Sequence, residues 1–229
     1  MKRFILLNGT FIAILLFSYS ADASPLSLEE LTAKMQTVYR ALTDLKTSFS
    51  QETSLAGFKT AIRSEGELWL KKRSKMKLAY LKPKPQEIYI NGAEMITYFP
   101  EEKQAIQGVF SAGEESKLPL RLLSGEAIFD REFEIRMDPA RGGPSYRLVM
   151  TPRRKEEELE RIEAEVDGVT FLISALRLIQ ANGNVSTFRF TNVHVNSGLK
   201  DSLFTFIVPE GTDLIKPLPS GGKPTGLSP

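Results

Sequence analysis

The feature that most constrains this chain is a two-residue alternation across residues 65–83, EGELWLKKRSKMKLAYLKP. Successive side chains of a strand point to opposite faces, so a period of two marks a strand. Ile62, Gly66, Leu68 and Leu70 fall on one face, with Glu65, Glu67, Trp69 and Lys71 on the other. Lys72, Arg73, Ser74 and Lys75 make a basic corner. Met76, Leu78 and Tyr80 then share a face opposite Lys77 and Ala79. Pro83 ends the second strand, because proline cannot donate to a ladder. Trp69 and Ala79 interrupt the wet side, so this hairpin is expected to touch something on both faces.

The same period recurs along most of the chain. Strand candidates cover residues 49–53, 86–90, 94–99, 104–110, 133–137, 146–150, 162–166, 170–180, 185–193 and 203–208. Asn91 with Gly92, Asp167 with Gly168 and Asn182 with Gly183 are tight-turn signals between them. Two segments break the alternation. Ser27 and Glu30 fit a capping box, and Leu28, Leu31, Met35, Val38 and Leu42 follow at helical spacing. Residues 112–125 gather Leu118, Leu120, Leu122 and Leu123 around Pro119, which suits the first turn of a short helix. The sum is an α+β chain, mostly β. It is expected to curl into one strongly twisted sheet or incomplete antiparallel barrel, with an N-terminal helix and inserted helices against one side.

A length of 229 residues with 41% hydrophobic and 25% charged residues supports one domain with a sizeable core. Lys+Arg 30 against Asp+Glu 28 is too even to argue for nucleic acid or an anionic surface. Lys2 and Arg3, an apolar stretch over residues 4–17, and Ala21-Asp22-Ala23 are the three parts of a secretory signal peptide. The apolar stretch is shorter than the ~20 residues a membrane span needs. The expected organisation is a cleaved signal peptide over 1–23, one domain over 24–216, and a disordered tail over 217–229. The chain holds no cysteine, so an exported core must stand without disulfides and no lipid-modified cysteine anchors the mature end.

Reactive chemistry is sparse. His194 is the only histidine, and Val193, Val195 and Asn196 around it read as a strand end. No Cys/His spacing suits zinc, and no Gly-rich loop joins a strand to a helix, so no cofactor is expected. The basic corner beside Trp69 and Tyr80 could suit single-stranded nucleic acid, but export argues against that partner. A curled sheet with surplus apolar helices and no reactive centre describes a container.

The order of several short motifs resembles the periplasmic outer-membrane lipoprotein carrier proteins, the LolA family. These are Phe49-Ser50-Gln51, residues 66–71 (GELWLK), Pro83 with Gln86, Asn91-Gly92, residues 119–123 (PLRLL), residues 182–184, 190–192 and 204–206, and residues 209–215 (PEGTDLI). The resemblance implies an incomplete antiparallel β-barrel, a curled sheet whose concave face the N-terminal and inserted helices cover, with a cavity between them that takes the acyl chains of a lipoprotein. It implies a monomer that receives cargo from an inner-membrane ABC-type lipoprotein-releasing transporter, passes it to an outer-membrane lipoprotein receptor, and catalyses nothing. About three chains of roughly fifteen methylenes would cost roughly 35 kcal/mol if left in water, at ~0.8 kcal/mol per CH₂. A carrier that recovered all of this could not let go, and the flexible Met35, Met76, Met95 and Met150 suit a partly open pocket.

Expected cavity residues are Phe49, Trp69, Leu78 and Ile90 from the sheet and Leu118, Leu122 and Leu123 from the insert. Leu122→Glu is expected to lower cargo binding and leave the fold intact. The family's usual Lys-Arg-Pro after the tryptophan strand is here Lys71-Lys72-Arg73-Ser74. Either Lys72 or, with a one-residue shift, Arg73 stands where the resemblance places an arginine that holds a helical lid shut. Lysine lacks the planar bidentate contacts of arginine. Two other readings use the same residues. One is a module of this fold for another lipid, a glycolipid or an envelope-stress signal. The other is an exported hydrolase with a polar cleft around His194 or the carboxylates.

Overall fold

Helix α1 (Leu28–Ala41) begins where its capping box predicts. Glu30 N donates to Ser27 Oγ at 3.2 Å, and Ser27 N donates to the Glu30 carboxylate at 2.9 Å. The computed structural model describes residues 26–110, 118–138, 145–154 and 159–216. The expected signal peptide and C-terminal tail lie outside the described residues. Leu31, Met35 and Tyr39, four residues apart, form the buried stripe of α1. Tyr39 is absent from the stripe expected from sequence. Its hydroxyl accepts a hydrogen bond from Ile173 N at 3.0 Å, and burial raises its pKa far above the ordinary tyrosine value.

The strands are β1 (Asp44–Ser54), β2 (Ile62–Lys71), β3 (Lys75–Lys82), β4 (Gln86–Asn91), β5 (Glu94–Phe99) and β6 (Gln104–Val109). Helices α2 (Leu118–Ser124) and α3 (Phe129–Glu132) follow. Then come β7 (Phe133–Asp138), β8 (Ser145–Pro152), β9 (Leu159–Asp167), β10 (Ile173–Gln180), β11 (Val185–Val195) and β12 (Asp213–Ile215). They form one curled twelve-stranded sheet in the order β12-β6-β5-β4-β3-β2-β1-β11-β10-β9-β8-β7. Two meanders, β2–β6 and β7–β11, are joined at the middle by β1, which pairs antiparallel with both β2 and β11. The edge strands β12 and β7 do not pair, so the barrel stays open. The segment carrying α2 and α3 links β6, near one edge, to β7 at the other.

Burial follows strand parity. Leu148, Met150, Ile162, Ala164 and Val166 of β8 and β9 pack with Leu31, Met35 and Tyr39 of α1 and with Phe129 and Phe133 in one core. On the opposite face of the sheet, Tyr89, Ile96 and Ala105 form a second cluster with Tyr98, Phe206 and Leu214.

The strand expected over residues 203–208 does not form. A 3₁₀ helix covers Asp201–Phe204, and the last strand is β12, parallel to β6. Phe204 and Phe206 alternate as a strand's residues do, but they bury by docking on the outer face and not by joining a ladder. Phe204 is 1% exposed, and the Phe206 ring lies 5.3 Å from Tyr89 and 5.1 Å from Tyr98. Buried Asp44 holds the approach to this segment by accepting from Ser197 N, Gly198 N and Leu199 N at 2.8, 3.0 and 3.3 Å. Asp201 contacts the ammonium groups of Lys71 and Lys75 at 2.7 Å each, and their hydrogen bonds hold its carboxyl at about 2. The chain's own C-terminal segment therefore covers the outer face of β3 and β4.

Candidate functional site

The concave face of β1–β4, β10 and β11 carries an apolar hollow of about 270 Å³. Its floor is Phe49, Leu68, Leu70, Met76, Leu78 and Ile90, its far wall is Leu176, Leu178, Phe188 and Phe190, and Phe110, Pro119 and Leu123 border it. Among the described residues, no charged side chain lines it. Register explains the assembly. Leu70 faces Met76, Met76 faces Ile90, Leu68 faces Leu78, and Phe49 faces Phe190. Residues directly opposite on antiparallel strands share a face, so one parity choice brings them all together. Gly66 makes room for Phe49, since a Cβ there would lie 2.8 Å from the Phe49 ring.

Of the residues expected from sequence, Phe49, Leu78, Ile90 and Leu123 meet at this hollow. Trp69 does not. Leu68 and Leu70 point in, so Trp69 between them points out, where its ring lies 5.5 Å from Lys46 Nζ and 5.6 Å from Lys77 Nζ. Leu122 is 0% exposed and belongs to the main core beneath the helix. Leu118 opens α2, and its side chain lies outside the described residues. Phe188, Phe190, Leu68 and Leu70 are not among the expected residues, although each pair is visible in sequence as sharing a strand face.

The basic corner holds α2 in a different way from the expected latch. Lys72 Nζ donates to Arg40 O, at the end of α1, at 2.6 Å. Arg73 contributes its backbone: Arg73 N and Ser74 N both donate to Glu126 Oε1, at 2.7 and 3.1 Å. Arg73 and Ser74 have φ of 69° and 54°, and successive left-handed residues turn their N–H groups toward one anion. A carboxylate two residues past α2 thus ties that helix to the β2–β3 turn. Nothing in the sequence marks Glu126, because its partners are backbone groups. Glu126→Ala is expected to speed amide exchange over residues 119–126 by about tenfold, the scale of a partly exposed charge-assisted pair. Exchange by mass spectrometry checks this, and unchanged rates would remove Glu126 from the closure.

A larger concavity of about 590 Å³ lies on the outer face. Arg63, Arg147, Arg177 and Arg189 line it beside Glu52, Glu65, Glu163 and Glu165. Arg177 and Arg63 meet Glu163 and Glu52 at 3.0 Å. Equal numbers of opposite charges leave no net field to draw in a charged ligand. His194 is exposed on β11 opposite Lys46. Among the described residues there is no group of side chains able to hold a metal, and no helix long and apolar enough to cross a membrane.

Comparison with known proteins bears on this geometry. The sequence model of the family described as outer membrane lipoprotein carrier protein LolA matches residues 40–207. An outer-membrane lipoprotein carrier protein of Cupriavidus taiwanensis is 27% identical over 207 residues, covering 89% of this chain and 94% of its own. One from Azotobacter vinelandii is 30% identical over 200 residues, covering 86% of this chain and 91% of its own. An uncharacterized conserved protein from Thermus thermophilus shares the fold at 9% identity, with a TM-score of 0.54 over 84% of this chain and all of that one.

Proposed function

This chain belongs to the LolA family of outer-membrane lipoprotein carrier proteins, and from that premise we propose that it is a non-enzymatic periplasmic carrier whose hollow shelters the acyl chains of lipoproteins. It takes cargo from an inner-membrane ABC-type transporter and delivers it to an outer-membrane receptor. The observation that carries this reading is the lining of the hollow, which is apolar at every described residue and sits between a curled sheet and a short, separately tethered helix. Such a surface offers transfer free energy and no reactive group.

Size sets the mechanism. At ~30 Å³ per methylene, close to a water's share of liquid, 270 Å³ holds about nine methylenes. Burying nine contributes about 7 kcal/mol at ~0.8 kcal/mol each. A lipoprotein's chains exceed that room, so loading requires α2 to move away from β2, which also lifts its Leu122 from the main core. The partial fit also limits how tightly cargo is held, which permits release.

The test is direct. Purified mature protein is incubated with spheroplasts, and the supernatant is fractionated by size. A lipoprotein co-eluting with the carrier is the expected result, and a supernatant without any defeats the reading. The small resting volume also favours a second reading, a module for a lipid with a single chain. Mass spectrometry of lipid extracted from the purified protein separates the two.

A further inference from the structure

The apolar floor stops abruptly at one end, and the same face of the sheet turns polar. Beyond Phe49 on β1, the next inward positions are Gln51 and Thr53. Tyr80 Oη donates to Gln51 Oε1 at 2.9 Å, and Gln51 Nε2 donates to Thr53 Oγ1 at 3.0 Å. The hydroxyls of Thr53 and Ser186 are 3.0 Å apart. This row abuts the hollow: the Tyr80 ring meets Phe49 edge-on at 5.4 Å, and Gln51 faces Phe188 across the β1–β11 ladder. It lies at the end of β2 far from the corner that holds α2, because Gln51 pairs with Ser64 while Asp44 pairs with Lys71. Burial of the Tyr80 ring beside the row also raises its pKa, which keeps the hydroxyl protonated as a donor.

Counting donors shows capacity left over. A glutamine amide has two N–H donors, and the bond to Thr53 uses one. Of the Thr53 and Ser186 hydroxyls, one donates to the other, leaving one proton to point away. These are neutral donors. The nearby charges Glu52, Arg63 and Glu65 have the opposite parity and line the outer concavity. Lys82, further along β3, is tied to Glu65 at 2.9 Å and is 71% exposed.

We propose that the row Tyr80–Gln51–Thr53–Ser186 receives the uncharged head of the acyl ligand, an ester or amide carbonyl, and selects it over a phosphate. The proposal rests on the carrier reading, because it assigns the chain ends to the hollow and the head to its polar rim. A carbonyl accepts from both leftover donors. A phosphate placed there would lose water and meet no cation.

The probes are Nile red, dioctanoylglycerol and dioctanoyl phosphatidate, with the lipids read by displacement of the dye. Dioctanoylglycerol is expected to bind at least about tenfold more tightly than the phosphatidate, which carries the same ester carbonyls but must strip water from its phosphate without meeting a cation. In the double variant Gln51→Leu, Thr53→Val, dioctanoylglycerol affinity is expected to fall about tenfold, the scale of one or two net hydrogen bonds, while Nile red affinity stays unchanged. Tyr80→Phe, which removes only a hydroxyl, is expected to lower dioctanoylglycerol affinity by a smaller factor and guards against a folding defect in the double variant. Equal binding of the two lipids by the wild-type protein, or dioctanoylglycerol affinity unchanged in the double variant, overturns the row's role. Failure of Nile red and both lipids to bind overturns the carrier reading itself. A diacylglyceryl peptide run beside dioctanoylglycerol identifies the source of the carbonyl. Dependence of either on Gln51 and Thr53 sustains the proposal, and dependence of neither ends it.

Discussion

Replacing Gly66 with alanine is expected to lower the unfolding free energy by about 3 kcal/mol, at the upper end of overpacking costs. The floor of the hollow would be lost with it. A Cβ at this position would lie 2.1 Å from Ala79 O and 2.8 Å from two atoms of the Phe49 ring. The oxygen belongs to backbone, so it cannot step aside as a side chain would. Strands β2 and β3 must separate where their register already shifts, between Glu65 and Gly66. Phe49 must leave its edge-on contact with Tyr80 and its tilted contact with Phe188, at 5.4 and 6.0 Å. Urea unfolding followed by the fluorescence of Trp69, the single tryptophan, measures the effect. With a slope of about 2 kcal/mol/M, the midpoint falls by about 1.5 M. A midpoint within about 0.3 M of wild type would mean that β2 and β3 can yield at this point.

Gly66 also illustrates what the sequence discloses. Its parity with Leu68 and Leu70 is plain, and the hairpin around Arg73 follows from alternation alone. The capping box at Ser27 and the Asn91-Gly92 turn are local chemistry, and local chemistry survives into the structure unchanged. Three features do not come through, each for a physical reason. Phe204 and Phe206 have the spacing of a strand, but spacing does not say whether a partner strand or an aromatic surface is waiting; for Phe206 it is the surface of Tyr89 and Tyr98. Trp69 is drawn into the expected cavity by its aromatic bulk against its own parity, and two lysine ammonium groups accommodate it outside. The hold on α2 resides in Glu126 and two backbone N–H groups. A side chain that binds backbone leaves no complementary residue to find.

The pair Leu122 and Leu123 gives the sharpest test of where core ends and cavity begins. They are adjacent on α2, so a turn of about 100° separates their directions. Leu122 is wholly buried in the main core, while Leu123 is half-buried and lines the hollow. Leu122→Glu, expected from sequence to spare the fold, is instead expected to cost about 4 kcal/mol or more, because its carboxylate has no partner and no water. Leu123→Glu is expected to change stability by less than about 1 kcal/mol, since its carboxylate reaches solvent across the open side. That same carboxylate must be stripped of water when a chain fills the hollow, so Nile red affinity is expected to fall at least about tenfold. Urea midpoints and dye titrations on the two variants decide the matter. The opposite pattern, with Leu122→Glu folded and Leu123→Glu binding normally, would place the acyl chains somewhere other than beneath α2.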